Sequence, residues 1–527
     1  MRKRGAAVVA LAALLQGTAL ANPTGPQVIS GQASFSATGT TLSITNSPNA
    51  IINWNSFSIN PGELTRFIQQ SSASAVLNRV IGGNASAIYG ALQSNGKVFL
   101  INQNGILFGP GAQVNVNGLM ASTLDIKNAD FLAGRFRFFA GATAAGIENQ
   151  GRITTPSGGS IYLIAPDIKN SGIITAPNGD IVLAAGHTVS LVDSGSPDIA
   201  AVVSAPADQA LNLGQIIAQA GRIGIYGGII AQKGIVSANS AVRDASGRIF
   251  FRATNDITLD TGSVTSANGA KGGGITIRST EGTTLVSGAV EAAGSNGSSG
   301  TVKLLGQQVG LIDRGSINVS GTSGGGTALV GGGYHGQDPS VQNARKTYVG
   351  ADTSIKADAT DKGNGGTVIV WSDDATRAYG AISARGGANG GNGGFVETSG
   401  HNYLDFQGRV DTGAPRGSAG TLLLDPADIT IDNSTDNLAG GTLGGGYFQN
   451  ATTNSTLTWS TINTQTGSLE IRTNSSGTGG NGDININANG SITGPTTLTL
   501  LANNNINIAA GVSVNGGSAD LNLVAGW

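Results

Sequence analysis

Residue types able to carry acid–base or metal chemistry are thinly spread along this chain of 527 residues. Its three histidines, His187, His335 and His401, each lack a cysteine or a second histidine at metal-ligand spacing. Each reads as a turn or surface residue, His187 at the strand edge in Ala185-Gly186-His187-Thr188. Glycan cleavage would need clustered carboxylates, in some enzymes with an arginine or Ca²⁺ beside them. The best group is Asp373-Asp374 with Arg377, joined by Asp405 and Asp411 one repeat further on, and scattered acids in turns explain it more simply. Gly479-Gly480-Asn481-Gly482-Asp483-Ile484 approaches a calcium-binding nonapeptide, but its Asp falls one position early and the unit does not recur. Gly324-Gly325-Gly326 and Gly331-Gly332-Gly333 lack the Lys-Ser/Thr and helix of a phosphate loop. The expectation is therefore no catalytic residue, no metal and no cofactor.

The elements that could position such residues are strands and turns. Glycine numbers 84, charged residues make up 11% and the net charge is −2. There is no Gly-X-Y period for collagen, and interspersed Val, Ile and Leu argue against a disordered linker. Near-neutral charge with no basic cluster also removes the footprint of nucleic-acid binding. A turn-dense all-β fold remains.

The first residues, Met1-Arg2-Lys3-Arg4, precede an apolar run from Ala6 to Leu15 and then Ala19-Leu20-Ala21 before Asn22. A basic end, a short apolar segment and small residues at the cleavage positions make residues 1–21 a signal peptide, cut between Ala21 and Asn22. The general secretion machinery would deliver the rest to the periplasm. Cysteine is absent although disulfides form readily there. That suits a chain exported unfolded, and chance in a Ser/Thr/Gly/Asn-rich composition competes with it.

Self-similarity is plain. Asn149-Gln150-Gly151-Arg152-Ile153 recurs as Asn170-Ser171-Gly172-Ile173-Ile174, and 170 − 149 = 21. Later, Ile249, Ile275 and Val302 follow equivalent glycines at intervals of 26 and 27, and Val368, Val396 and Leu422 at 28 and 26. Each unit holds short β-branched runs with period-2 alternation between turn residues. A repeat of about twenty residues with two or three strands is one coil of a solenoid. Extra residues sit in turns such as 272–274 and 390–394, where glycine takes positive φ without a clash.

The expected fold is all-β, a right-handed parallel β-helix, since strand twist favours right-handed crossovers. At about 4.8 Å per coil the rod would be on the order of 100 Å long. The segment from Gln27 through Ile44 to the block around Trp54 and Phe57 is placed to cap the N-terminal end. Asp520–Ala525 is a fresh strand, so the chain reads as cut short at its C-terminal end.

Four blocks in order then carry a resemblance: Asn53-Trp54-Asn55-Ser56-Phe57-Ser58-Ile59; Val76-Leu77-Asn78-Arg79-Val80-Ile81-Gly82-Gly83 with Ile88-Tyr89-Gly90; Leu100-Ile101-Asn102-Gln103-Asn104-Gly105-Ile106-Leu107-Phe108-Gly109; and Gly118-Leu119-Met120-Ala121-Ser122-Thr123-Leu124. They resemble the two-partner-secretion exoproteins, the filamentous-haemagglutinin-like adhesins. The family signature Asn-Pro-Asn-Gly-Ile appears here with Gln103 in place of proline. An Asn-Pro-Asn-Leu motif of some members is absent, and Phe67-Ile68-Gln69-Gln70-Ser71-Ser72-Ala73 stands in its place. The likeness covers about residues 25 to 190 well and the rest loosely.

The resemblance implies a secretion domain with its cap over 22–145; the repeats read as regular coils of about 21 residues over 146–245 and a Gly-rich shaft with longer coils over 246–527. It implies a partner outer-membrane barrel transporter with periplasmic recognition domains, met through Asn53, Trp54, Asn102, Asn104, Gly105 and Ile106. The same Asn and Gly residues also suit a tight turn. The product would be secreted or held at the cell surface of a Gram-negative bacterium as an adhesin for a protein or glycan receptor. A contact-dependent toxin or haemolysin of the same secretion class is the alternative, as is a β-helical polysaccharide-degrading enzyme. No nucleic-acid partner is expected.

Overall fold

The computed structural model describes residues 22–141, 144–191, 201–204, 208–241, 246–297, 299–434, 446–448, 455–474 and 480–527. Residues 1–21 with Ala19 and Ala21, and Gly479 of the calcium-like segment, lie outside them.

The chain winds as a parallel β-helix with three faces. One coil runs through Ser160–Ala165 on a long-strand face, Ile168–Asn170 on a second and Ile173–Thr175 on a third, and Asp180–Ala185 starts the next. Strands stack in register, Ile161 on Ile181 and Leu163 on Leu183. Alternation sends Ile161, Leu163 and Ala165 inward, where each is fully buried. Repeated coil on coil, these positions form one core from Leu42 to Ala502. Each buried Ile or Leu contributes about 1.5–3 kcal/mol, so every added coil stabilises the last.

Glycines recur at two turns for a steric reason. A Cβ on Gly172, Gly214 or Gly234 would collide with the carbonyl oxygen of the glycine one coil earlier, Gly151, Gly172 or Gly214. The same holds for Gly273, Gly300, Gly326, Gly366, Gly394 and Gly420, each against the one before it and the first against Gly247. This corrects the expectation of positive φ at 272–274: close approach of backbones is the cause at Gly272 and Gly273, while a Cβ on Gly274 would meet nothing. In 390–394 the expectation holds for Gly390 and Gly391, at φ 131° and 122°. Between the second and third faces Asn149, Asn170, Asn212 and Gln232 form a buried amide ladder, each Nδ2 donating to the next side-chain carbonyl at 2.7, 2.8 and 2.7 Å.

Coil length is less uniform than the repeats suggest. Ile181 pairs with Ile223, and 223 − 181 = 42, because Thr188–Leu191 and Ala201–Ser204 leave the helix. With Asp125–Ile126 and Arg137–Phe139 they build a four-stranded antiparallel sheet outside it. That sheet and the short helix Asn128–Leu132 cover the long-strand face, burying Phe99, Met120, Phe131, Phe138 and Val189 in a second core. Later, a segment over 331–345 crosses the same face. Further on, Ile429–Asp432 pairs with Ser455–Thr458 on one side and Ile484–Ile486 on the other. The Leu404 N–H donates to Ser455 Oγ at 3.0 Å, so the later strand sits beside Tyr403–Phe406.

The N-terminal cap lies where the sequence placed it. Gln27–Ser30 runs antiparallel to Ala50–Trp54, and Ala33–Thr38 closes a hairpin with Thr41–Asn46. Phe35 of that hairpin meets the Trp54 ring edge-on at 5.7 Å. Antiparallel strands here stop the parallel stack from presenting an open edge.

Candidate functional site

The signature turn joins Ala91–Ile101 to Ile106–Phe108. Asn102 is fully buried. Its Nδ2 donates to the Asn84 carbonyl at 2.9 Å and to Ser86 Oγ at 3.0 Å, and its Oδ1 accepts from the Asn104 backbone N–H at 3.0 Å. The last contact is an Asx turn, which explains asparagine at this position. The exposed Asn104 donates through Nδ2 to the Gly82 carbonyl at 2.9 Å. Gly105 has φ 114°, a region that residues with a Cβ rarely enter, and Ile106 is buried in the core. The turn is thereby sewn to residues 82–86 of the preceding coil.

Trp54 is fully buried between Phe35 and Phe57, and its Nε1 donates to Asn78 Oδ1. Asn78 Nδ2 in turn donates to the Phe99 carbonyl at 3.2 Å. Beside Asn78, Arg79 donates to Asp125 Oδ1 at 2.9 Å, Asn128 Oδ1 at 2.8 Å and the Ile126 carbonyl at 2.6 Å. One guanidinium thus pins the outer sheet and helix to the β-helix. Asn53 stands in register with Arg79, half-buried, and its Oδ1 has no partner among the described residues.

Of the six expected recognition residues, only Asn104 is exposed and Asn53 half-exposed; Trp54, Asn102, Gly105 and Ile106 turn inward. Asn78 and Arg79 lie in a quoted block, but sequence reasoning gave them no role. Two polar residues inside Val76-Leu77-Asn78-Arg79-Val80 were the available signal, since a mid-strand amide and cation need partners.

The acid group does not form a cleft. Asp405 is fully buried and accepts from Tyr379 Oη at 2.6 Å and Gln407 Nε2 at 3.0 Å. Arg377 lies in register with it, over the Tyr403 ring. Asp373 accepts from Trp371 Nε1 and Asn343 Nδ2, each at 3.0 Å, while Asp411 lies on the third face near Arg385. His187 is exposed, its Nδ1 2.6 Å from Asp208 Oδ2, and the His401 ring lies tilted beside Trp371, centroids 6.2 Å apart.

His335 sits in a turn as expected, but it is not a free surface residue. At φ 50° it reaches back over two fully or nearly buried carboxylates, with Nδ1 3.0 Å from Asp425 Oδ2 and 3.7 Å from Glu397 Oε1. Its backbone N–H donates to Glu397 at 3.2 Å. The hydrogen bond to Asp425 raises the His335 pKa above the ordinary value, and burial pushes Glu397 up to about 7. These groups lie 62 and 90 residues apart (397 − 335, 425 − 335), so no local motif announces them.

A family model described as the TPS secretion domain matches residues 19–266. The crystal structure of the HMW1 secretion domain from Haemophilus influenzae superposes with a TM-score of 0.61 at 34% identity, over 76% of this chain and 100% of that one. The chain belongs to the two-partner-secretion exoproteins. Two heme/hemopexin-binding proteins of Haemophilus influenzae, one from strain Rd, are 42% identical over 106 and 92 residues. Those segments are 20% and 18% of this chain but only 12% and 10% of the relatives, so the match spans a small part of their length. None of these proteins is named for a catalytic activity. The secretion system implies an outer-membrane transporter as its partner. The matched region encloses the cap, the signature turn, the Arg79 anchor and the whole outer sheet.

Proposed function

We propose that this exoprotein acts as an adhesin, secreted through its transporter and displayed at or released from the cell surface. The observation that carries the reading is a secretion-type fold continuing without a break in the core into a long stack of coils. Such a shaft projects whatever lies along it, and each coil that folds outside resists sliding back by adding an interface to the one before. No ATP is needed for that bias. Within the domain, Asn104 and Asn53 are the side chains we assign to direct transporter contact, with Trp54, Asn102, Gly105 and Ile106 holding the turn and cap that display them. The haem and haemopexin binding named for the relatives is not carried over, since the shared segment is so small a part of them.

Residues 1–527 should be expressed with and without the partner transporter, and protein measured in cell-free medium and on epithelial monolayers. Transporter-dependent release followed by saturable cell binding is expected. Release without the transporter would overturn the export reading; release without cell binding would overturn only the adhesin.

A further inference from the structure

Lys and Arg are spread through the sequence without a run, and the sequence alone predicts no basic cluster. Winding changes this. On the long-strand face Arg252 stacks on Arg278, 278 − 252 = 26 residues later, and Arg248 stacks on Arg222. The middle column carries Phe250, Thr276 and Lys303. Arg248 and Arg252 are exposed, and Arg278 and Lys303 partly so.

The acids facing this array are few. Asp180 is held by Arg222 through two hydrogen bonds of 2.8 and 2.7 Å. Asp338, on the segment over 331–345, accepts from Ser340 and also feels the charge of Lys303, both of which hold its pKa down. From that segment Gln342 accepts from Arg278 Nε at 2.7 Å. Among the described residues no carboxylate lies within ion-pair distance of Arg248, Arg252, Arg278 or Lys303. A chain with net charge −2 therefore carries four cations on one patch, of which, among the described residues, only Lys303 has a carboxylate, Asp338, near enough to interact with it.

We propose that this patch docks the exported shaft onto a phosphate-bearing lipid surface, the outer leaflet of the membrane through which it leaves. Three of the four cations are arginines, whose planar fork matches phosphate oxygens. Neighbouring coils are about 4.8 Å apart, so Arg252 and Arg278 can share one phosphate. Arg248 and Arg252 lie about 13 Å apart along their strand. The charges thus form a flat two-dimensional array and do not line a groove, which fits a plane of headgroups better than a single threaded polyanion. The location rests on the export reading; the binding chemistry does not.

The test uses purified full-length chain and flotation with phosphatidylcholine vesicles, with or without lipid A. Binding to lipid A vesicles alone, weakened by salt, is expected. The double variant Arg248→Gln/Arg252→Gln should bind about thirtyfold more weakly. Lys356→Gln/Arg409→Gln, an equal charge change on the third face, should bind like the parent, and both variants should keep the parent melting temperature. Stronger binding to soluble dextran sulfate than to lipid A vesicles would overturn the proposal in favour of a polysaccharide partner. Equal loss in the two double variants, or no vesicle binding at all, would also overturn it. Export failure leaves this measurement unaffected, because it is made on purified chain.

Discussion

The indole Nε1 of Trp54 donates to Oδ1 of Asn78 across 3.0 Å, with both residues shut off from solvent. Trp54 closes the cap and Asn78 belongs to the next coil, so this bond fastens the cap to the first regular rung. Asn78→Ala leaves the indole N–H and the Phe99 carbonyl without that partner. A buried group orphaned in this way costs about 1–3 kcal/mol. Denaturant unfolding followed by tryptophan fluorescence should show a loss of that size, and an unchanged midpoint would mean that the bond does not hold the cap.

The two signature asparagines should separate cleanly. Asn102→Ala removes the hydrogen bonds of a fully buried side chain to Asn84, Ser86 and Asn104 and should destabilise the domain by about 2–3 kcal/mol. Asn104→Ala changes an exposed side chain and should cost less than about 1 kcal/mol. If Asn104 touches the transporter, its alanine variant should lose release while melting normally. Normal release of that variant would reduce the signature to a folding turn.

How much of this was legible beforehand follows from the range of each interaction. The solenoid, its glycine-marked turns and the cap were readable because in-register stacking writes the same pattern every coil, as in Ile161 and Ile181. The 42-residue coil was not, because Thr188–Leu191 resembles any other β-branched run and only its distant partner Arg137–Phe139 takes it outside. The same applies to His335, whose carboxylates come from later coils, and to the Arg252–Arg278 pair, which exists only once the coil length is known. The signature marked the turn, but which of its asparagines faces solvent depends on residues 82–86.

The glycine ladder should be sharply position-dependent. A Cβ on Gly214 would run into the Gly172 carbonyl, and Gly214→Ala should cost about 3 kcal/mol. Gly262, at φ 84° with open space around it, needs only the left-handed conformation, so Gly262→Ala should cost about 1–2 kcal/mol. Equal midpoints by denaturant unfolding would count against close approach as the cause.

The segment over 331–345 should hold more tightly in acid. His335, raised by its bond to Asp425, adds stability that is complete below about pH 6.5 and lost as pH rises through its folded value. Glu397, lifted by burial to about 7, opposes folding increasingly as it ionises, so its effect has the same sign. The hydrogen-exchange protection of peptides covering 331–345, taken relative to the base-catalysed rate of unfolded amides, should fall between about pH 5 and about pH 8. Glu397→Gln should flatten that dependence and slow exchange at the alkaline end; a parent profile independent of pH would refute the assignment.

Ser455–Thr458 lies between Tyr403–Phe406 and Ile429–Asp432, although it follows both in the chain. For a polypeptide emerging end first, that rung is vacant when Ile429–Asp432 arrives and is filled only after some twenty further residues, 455 − 432 = 23, have come out. Growth of the rod there cannot be a simple zipper. The half-made edge must wait for its missing plank, which makes this the point where a slow step in assembly, or a foreign strand taking the empty place, has its opening.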